Sequence, residues 1–410
     1  MLGSFDSSSH DDDEEEEPPP PPPNAYILQT HHRSLAPPPV HTRQLLISCA
    51  ELVSRSDLSA AHRLITVLAT NSSPLGDSTE RVVHQFTRAL SLRLDFLMNP
   101  NPAATTAASS QGLGSNDDAL VQSSYLSLNQ VTPFVRFCHL TANQAILEAI
   151  DGQEAIHILD FDIMHGVQWP PLLQAVAERY PPPTLRITAT GSDLEILRRT
   201  GDRLARFAHS LSLRFQFHPL ILLSNQDPIS ITSSVLLRPD ETLAVNCVNY
   251  LHRLLKDCNR LLSFLQRIKA MSPRVLTVAD HNLPIFRQQR FVEALDHYAA
   301  VFDSLEATLP PNSPERLAVE QIWFGREIAG IVTGNDGEDR RERHERYTSW
   351  AAMLRCAGFS NIPLSPFALS QAKLLLRLHY PSEGYQLHIL DESLFLGWQN
   401  QPLFSVSSWQ

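Results

Sequence analysis

Five cysteines are spread over 410 residues (Cys49, Cys138, Cys247, Cys258 and Cys356), and no two fall in a CxxC pair. That spacing excludes a disulfide framework and a zinc site, and it fits a reducing compartment. The 17 histidines are scattered without metal-ligand spacing. No stretch approaches the ~20 apolar residues of a membrane helix. The chain opens with Ser, Asp and Glu where a secretory signal would be basic and then apolar. Lysine is nearly missing: the 33 basic residues are 30 Arg and only Lys256, Lys269 and Lys373. Arginine's planar fork suits bidentate contact with phosphate or carboxylate. Together these absences predict a soluble intracellular protein with no membrane segment and no metal.

The 44 acids exceed the bases to give a net charge of −11, but unevenly. Residues 1–40 hold eight acids (Asp6, Asp11 to Asp13, Glu14 to Glu17) and one base, Arg33, for −7. The remaining 370 residues carry 32 bases and 36 acids, only −4. The acidic run and the prolines Pro18 to Pro23 and Pro37 to Pro39 predict a disordered tail over 1–40, either solubilising or of activation type. The whole chain is 43% apolar, enough to fill a sizeable core.

From His41 to Ile150 the apolar spacing is helical. Leu58, Ala61, Leu64, Ile65 and Leu68 form one stripe, Asp77 and Glu80 form a capping box, and Thr132-Pro133 opens a further helix. A polar stretch, Asn99 to Asp118, reads as a surface loop. The period then changes. Ala155–Phe161, Leu185–Thr190, Leu213–Phe217, Leu243–Val248 and Arg274–Ala279 read as strands alternating with helices, which predicts a parallel, doubly wound sheet over 151–410 beneath a helical cap over 41–150. Ala372–Tyr380, Gln386–Leu390, Leu394–Trp398 and Phe404–Trp409 read as further strands. Antiparallel hairpins closing a parallel sheet are the arrangement of Rossmann-like methyltransferases, so the expected fold class is α/β of that type.

A cofactor-binding unit of this class needs glycines directly after its first strand. Here the turn is Asp160-Phe161-Asp162-Ile163-Met164-His165-Gly166, with a single glycine, and the second strand ends Ala189-Thr190-Gly191-Ser192 without the ribose-binding acid. Asp160, Asp162, His165 and Gly166 therefore read as a vestigial cleft, with an altered cofactor turn or a small-ligand sensor as the alternative. No GxSxG, HExxH or Walker pattern occurs. No catalytic residue, cofactor or metal is expected.

Charge lies in stripes instead. Arg199, Arg203 and Arg206 share one helix face, and Arg253, Lys256, Arg260, Arg267 and Lys269 lie on a later helix with one acid, Asp257. The following helix displays Glu293, Asp296, Asp303 and Glu306. Such stripes are either solvated faces or surfaces for phosphate or a partner. Leu251 to Leu255 matches LxxLL, although its leucines continue an apolar stripe to Ile268 and suit a core better.

These residues resemble a known family. Ile156-His157-Ile158-Leu159-Asp160, followed by FDIMHGVQWPPL, resembles the VHIID motif of the plant GRAS proteins. Pro284, Phe286, Arg290 and Phe291 resemble its PFYRE region, and Phe324-Gly325-Arg326-Glu327-Ile328 matches FGREI. Arg340, Glu342 and Arg343 correspond to RVER, and Trp350, Trp398 and Trp409 fall where the SAW region has its tryptophans. The resemblance covers residues 40–410 and is nearest the Lateral suppressor branch. Only Asp280 to Leu283 separates the fifth strand from the PFYRE proline, a shorter loop than such members usually have. The resemblance implies a nuclear transcriptional regulator that forms homo- or heterodimers within its family. It also implies binding to other transcription factors, with DNA contacted directly or through them, and a role in axillary meristem initiation and shoot branching.

Overall fold

The computed structural model describes residues 39–99, 115–223, 227–255, 257–283, 290–334 and 345–410. The predicted tail, apart from its last two residues, and most of the predicted 99–118 loop lie outside the described residues.

Helices α1 (Pro39–Ser54), α2 (Leu58–Thr70), α3 (Ser78–Met98), α4 (Ser115–Val131) and α5 (Pro133–Ala149) precede the sheet. The capping box at α3 is present, with Glu80 N donating to Asp77 Oδ1 at 2.9 Å and Asp77 N to Glu80 Oε2 at 3.2 Å. Pro133 sits in the first turn of α5, but the Thr132 hydroxyl donates back to the Leu128 carbonyl at 2.7 Å and does not cap the helix.

The alternating region contributes β1 (Ala155–Asp160), α6 (Trp169–Ala177), β2 (Thr184–Gly191), α7 (Leu194–Ser210), β3 (Phe215–Ile221), α8 (Pro228–Ser234), β4 (Thr242–Val248), α9 (Cys258–Ala270) and β5 (Val275–His281). After it come α10 (Arg290–Thr308), α11 (Pro314–Ala318), a π-helical turn (Val319–Phe324), α12 (Gly325–Thr333), α13 (Tyr347–Cys356), β6 (Asn361–Ile362), α14 (Pro366–His379), β7 (Tyr385–Leu390), β8 (Ser393–Trp398) and β9 (Gln401–Trp409). The sheet order is β3-β2-β1-β4-β5-β9-β8-β7, with β6 paired to β9. Strands β1 to β5 are parallel and β5-β9-β8-β7 antiparallel, the closed α/β arrangement expected.

Alternate residues of the strands feed two different cores. Ile156, Ile158, Ala244 and Val275 pack with α6 and α7, whereas Leu159, Val245, Cys247, Leu276 and Val278 pack with α9 and α13. Successive side chains of a strand point to opposite faces, so α7 and α9 lie on opposite faces of the sheet. A third core joins α1 to α5 with α10, α12 and the antiparallel strands.

Three expectations are corrected. Ala372–Tyr380 is part of helix α14, not a strand: Ser365 caps it by accepting from Ala368 N at 3.1 Å, Pro366 fills its first turn, and Ala368 and Ala372 face inward one turn apart. The periodic helix from Leu251 is broken at Asp257, whose carboxylate accepts from Asn259 N and Arg260 N and starts α9 anew. Leu251 and Leu255, in the short turn before it, are buried, so the LxxLL leucines serve the core. Strand β3 begins two residues later than expected and runs on to Ile221.

Candidate functional site

Strand order reverses between β1 and β4, and in open α/β sheets a ligand crevice lies outside the carboxyl ends of strands at such a switch point. The residues that reach this point are polar and fully enclosed. Asp160, ending β1, accepts from Asn246 Nδ2 and from Trp169 Nε1, each at 2.8 Å. Gln168 Nε2 donates to Asn143 Oδ1 at 3.1 Å and to Asn246 Oδ1 at 3.2 Å. The Thr277 hydroxyl donates to Asn246 Oδ1 at 2.8 Å, and Asn143 Nδ2 to the Gln168 carbonyl at 2.7 Å. Asp160, Asn246, Trp169, Thr277, Asn143 and Gln168 are all buried. Burial pushes the Asp160 carboxyl up to about 7, even though the two donated hydrogen bonds favour its charged form.

The turn after β1 folds tightly over this network. Asp162, Met164 and Gly166 have φ of +67°, +49° and +62°, all in the left-handed region. Gly166 is required there twice over, since an added Cβ would also lie 2.7 Å from Thr200 Cγ2. Where a ribose-binding acid would end β2, Thr190 instead holds the turn: its hydroxyl accepts from Asp162 N at 2.9 Å and its carbonyl from Ile163 N at 3.0 Å. Asp162 pairs with Arg253 from the β4 side. His165 stacks on Tyr125 of α4, which also meets Trp323 with ring centroids 5.4 Å apart. Burial, then the charge of Arg203, lowers the His165 pKa. On the other side Phe161 stacks on Tyr250 at 5.1 Å. These contacts bury the polar groups at the strand ends and tie the turn to β2, α4 and α7. Asn143, Gln168, Asn246, Tyr125 and Trp323 escaped the reading of the sequence. The available signal was a polar residue, Asn246, inside the apolar strand LAVNCV.

The family-like motifs are placed as follows. Ile156 to Asp160 form the buried central strand β1. In FGREI, Gly325 sits where a Cβ would meet Gln85 Oε1 of α3 at 2.8 Å, Glu327 is buried and accepts from the Tyr298 hydroxyl at 3.0 Å, and Arg326 is exposed. Arg290 and Phe291 begin α10. Trp350, Trp398 and Trp409 are core residues, with Trp398 Nε1 donating to Asp303 at 2.7 Å. Pro284, Phe286, Arg340, Glu342 and Arg343 lie outside the described residues.

The charged stripes turn out to be largely spoken for within the molecule. All four acids of α10 have internal partners. Glu293 pairs with Arg346 at 3.2 Å, Asp296 with Arg43 at 2.7 Å and Glu306 with the buried Arg81 at 2.5 Å, while Asp303 accepts a hydrogen bond from Trp398 Nε1. Among the bases, Arg199 pairs with Glu195 at 2.8 Å, Arg203 donates to the His165 carbonyl, and Arg260 pairs with Asp227 at 3.1 Å. Arg206 and Arg267 are exposed and make no ion pair among the described residues; Lys256 lies outside them. Arg203 and Arg253 both reach the turn after β1, while the exposed Arg206 and Arg267 sit on helices that occupy opposite faces of the sheet.

The model of the GRAS domain family matches residues 42–410. Scarecrow-like protein 18 of Arabidopsis thaliana is 49% identical over 410 residues, covering 90% of this chain and 91% of that protein. Protein MONOCULM 1 of Oryza sativa subsp. japonica is 46% identical over 404 residues, covering 90% and 88%. The crystal structure of SCL7 from Oryza sativa superposes with a TM-score of 0.75 at 33% identity, over 91% of this chain and 100% of that one. A family match across nearly the whole sequence, together with relatives of this identity, establishes that the chain belongs to the GRAS domain family, the plant transcription regulators whose motifs it carries.

Proposed function

We propose that this protein regulates transcription in the nucleus through contacts with other proteins, and that it promotes axillary meristem initiation and shoot branching. The observation that carries the reading is the similarity to MONOCULM 1 along nearly the full length, and the enclosed hydrogen-bond network around Asp160 supports it. A methyltransferase or a small-ligand sensor would need polar groups free to meet its ligand, whereas Asp160, Asn246 and Gln168 bond to one another and to Trp169. The partners proposed are family members, as homo- or heterodimer, and other transcription factors. The exposed Arg206 and Arg267, separated by the sheet, support DNA contact that is assisted by a partner over a single basic groove of this chain. No described helix is long and apolar enough to cross a membrane.

The test is affinity capture of the tagged full chain from plant nuclei, with partners identified by mass spectrometry. Transcription factors and other GRAS chains are the expected enrichment. Exclusion of the tagged chain from nuclei, or enrichment of metabolic enzymes without any transcription regulator, would overturn the reading.

A further inference from the structure

The opposite, amino-terminal edge of the sheet carries charge of its own. A recess of about 500 Å³ opens there between Leu237–Leu243, the stretch from Lys269 to Arg274 and Gln410. Its inner wall is fixed by hydrogen bonds. Arg186, 3% exposed, donates to both carboxylate oxygens of Glu241 and to the Leu236 carbonyl at 2.9 Å. Its guanidinium also meets His157 Nδ1 at 3.1 Å, while His157 Nε2 meets Thr188 Oγ1 at 2.8 Å. Since arginine only donates, Nδ1 accepts and the proton sits on Nε2, which makes His157 a neutral imidazole.

Three cations line the recess itself: Arg238, Lys269 and Arg274. Arg238 reaches Glu241 at 3.3 Å. The Lys269 ammonium lies 5.1 Å from the ring centroid of Phe359, and Arg274 is exposed, its backbone held by an N–H···O bond of 2.7 Å to Leu243. Glu241 is the acidic side chain of the lining. Even with a carboxylate counted on Gln410, the three lining cations outnumber the two anions, while Arg186 behind the wall is engaged by Glu241. The histidines beside them register the same field: burial, then the charges of the neighbouring arginines, lowers the pKa of both His157 and His218.

We propose that this recess is a binding site for a small, multiply charged phosphate compound, held by Arg238, Lys269 and Arg274 against the rigid His157–Arg186–Glu241 wall. Guanidinium forks match phosphate oxygens in pairs, and a fixed wall lowers the ordering cost of binding. Leu237, Met271 and Pro273 give the recess apolar sides. Its volume falls in the range of small-molecule sites, ~300–1,000 Å³, and not in that of a track for a duplex. None of these residues belongs to the network around Asp160, so the site stands independently of the function proposed above.

The test is calorimetric titration of the full chain with pyrophosphate, and separately with a short DNA duplex. Saturable pyrophosphate binding is expected, weakened by about tenfold or more in Lys269→Met/Arg274→Gln, because each charge-assisted hydrogen bond lost is worth roughly a factor of ten. Arg63→Gln, on α2, should bind as the parent does. Arg274→Lys, which keeps the charge and loses the fork, should fall between and guards against a double variant that fails to fold. Three results would overturn the proposal: no saturable heat at millimolar pyrophosphate, undiminished binding by the double variant, or a double variant that loses the duplex and keeps pyrophosphate. The last would make the surface a nucleic-acid contact.

Discussion

Asp160 shows how one residue can keep the position of a functional group while its chemistry is withdrawn. It ends the first strand at the switch point, yet both its oxygens are taken by Asn246 and Trp169, and no water-facing edge remains. Its folded pKa, about 7, lies above the ordinary value of 3.8. The folded state therefore binds a proton that the unfolded chain has released, and the carboxyl's contribution to stability falls as pH rises from about 4 to about 7. Asp160→Asn should remove that decline, so the difference in unfolding free energy between parent and variant, followed by denaturant titration across this window, should itself change with pH. The amide also turns a donor toward Asn246 or Trp169, so a loss of about 1–3 kcal/mol is expected near pH 4. A difference constant with pH would place the proton elsewhere. Asp160 was legible in the sequence as a residue at the strand end. Its enclosure was not, because Asn246 lies 86 positions along the chain, and Asn143 and Gln168 join the network only through it.

At the scale of elements, the helical cap is fastened to the core by ion pairs as well as by apolar packing. Arg81 of α3 and Glu320 of the π-helical turn, each 1% exposed, pair at 2.8 Å, and Arg81 also holds Glu306 of α10. Removing Arg81 leaves the buried Glu320 with the longer contact to Arg316 at 3.9 Å, so Arg81→Met is expected to cost about 3 kcal/mol, the low end for breaking a buried pair, read as a lowered denaturation midpoint. A variant as stable as the parent would show that apolar packing alone holds α3 in place. The alternation of strand and helix was legible because period-2 and period-3.6 patterns differ over five or six residues. Helix α14 was not: the run KLLLRLHY is apolar on several sides, and Leu374 and Leu378 remain exposed in the fold. The informative residues were Ser365 and Pro366, which start the helix before the ambiguous run begins.

For the whole molecule, the sequence shows charges in stripes but cannot say which face inward. The acids of α10 answer Arg43, Arg81, Arg346 and Trp398, so most of that stripe is internal fastening and not a docking face. What is left outside is sparse and divided by the sheet, which fits a regulator that acts through partners. The side chains packed around Asp160 at the switch point should leave S-adenosylmethionine without a site. The most direct test is calorimetric titration of the full chain with S-adenosylmethionine. No saturable binding is predicted up to millimolar ligand; a saturable micromolar isotherm would contradict the account.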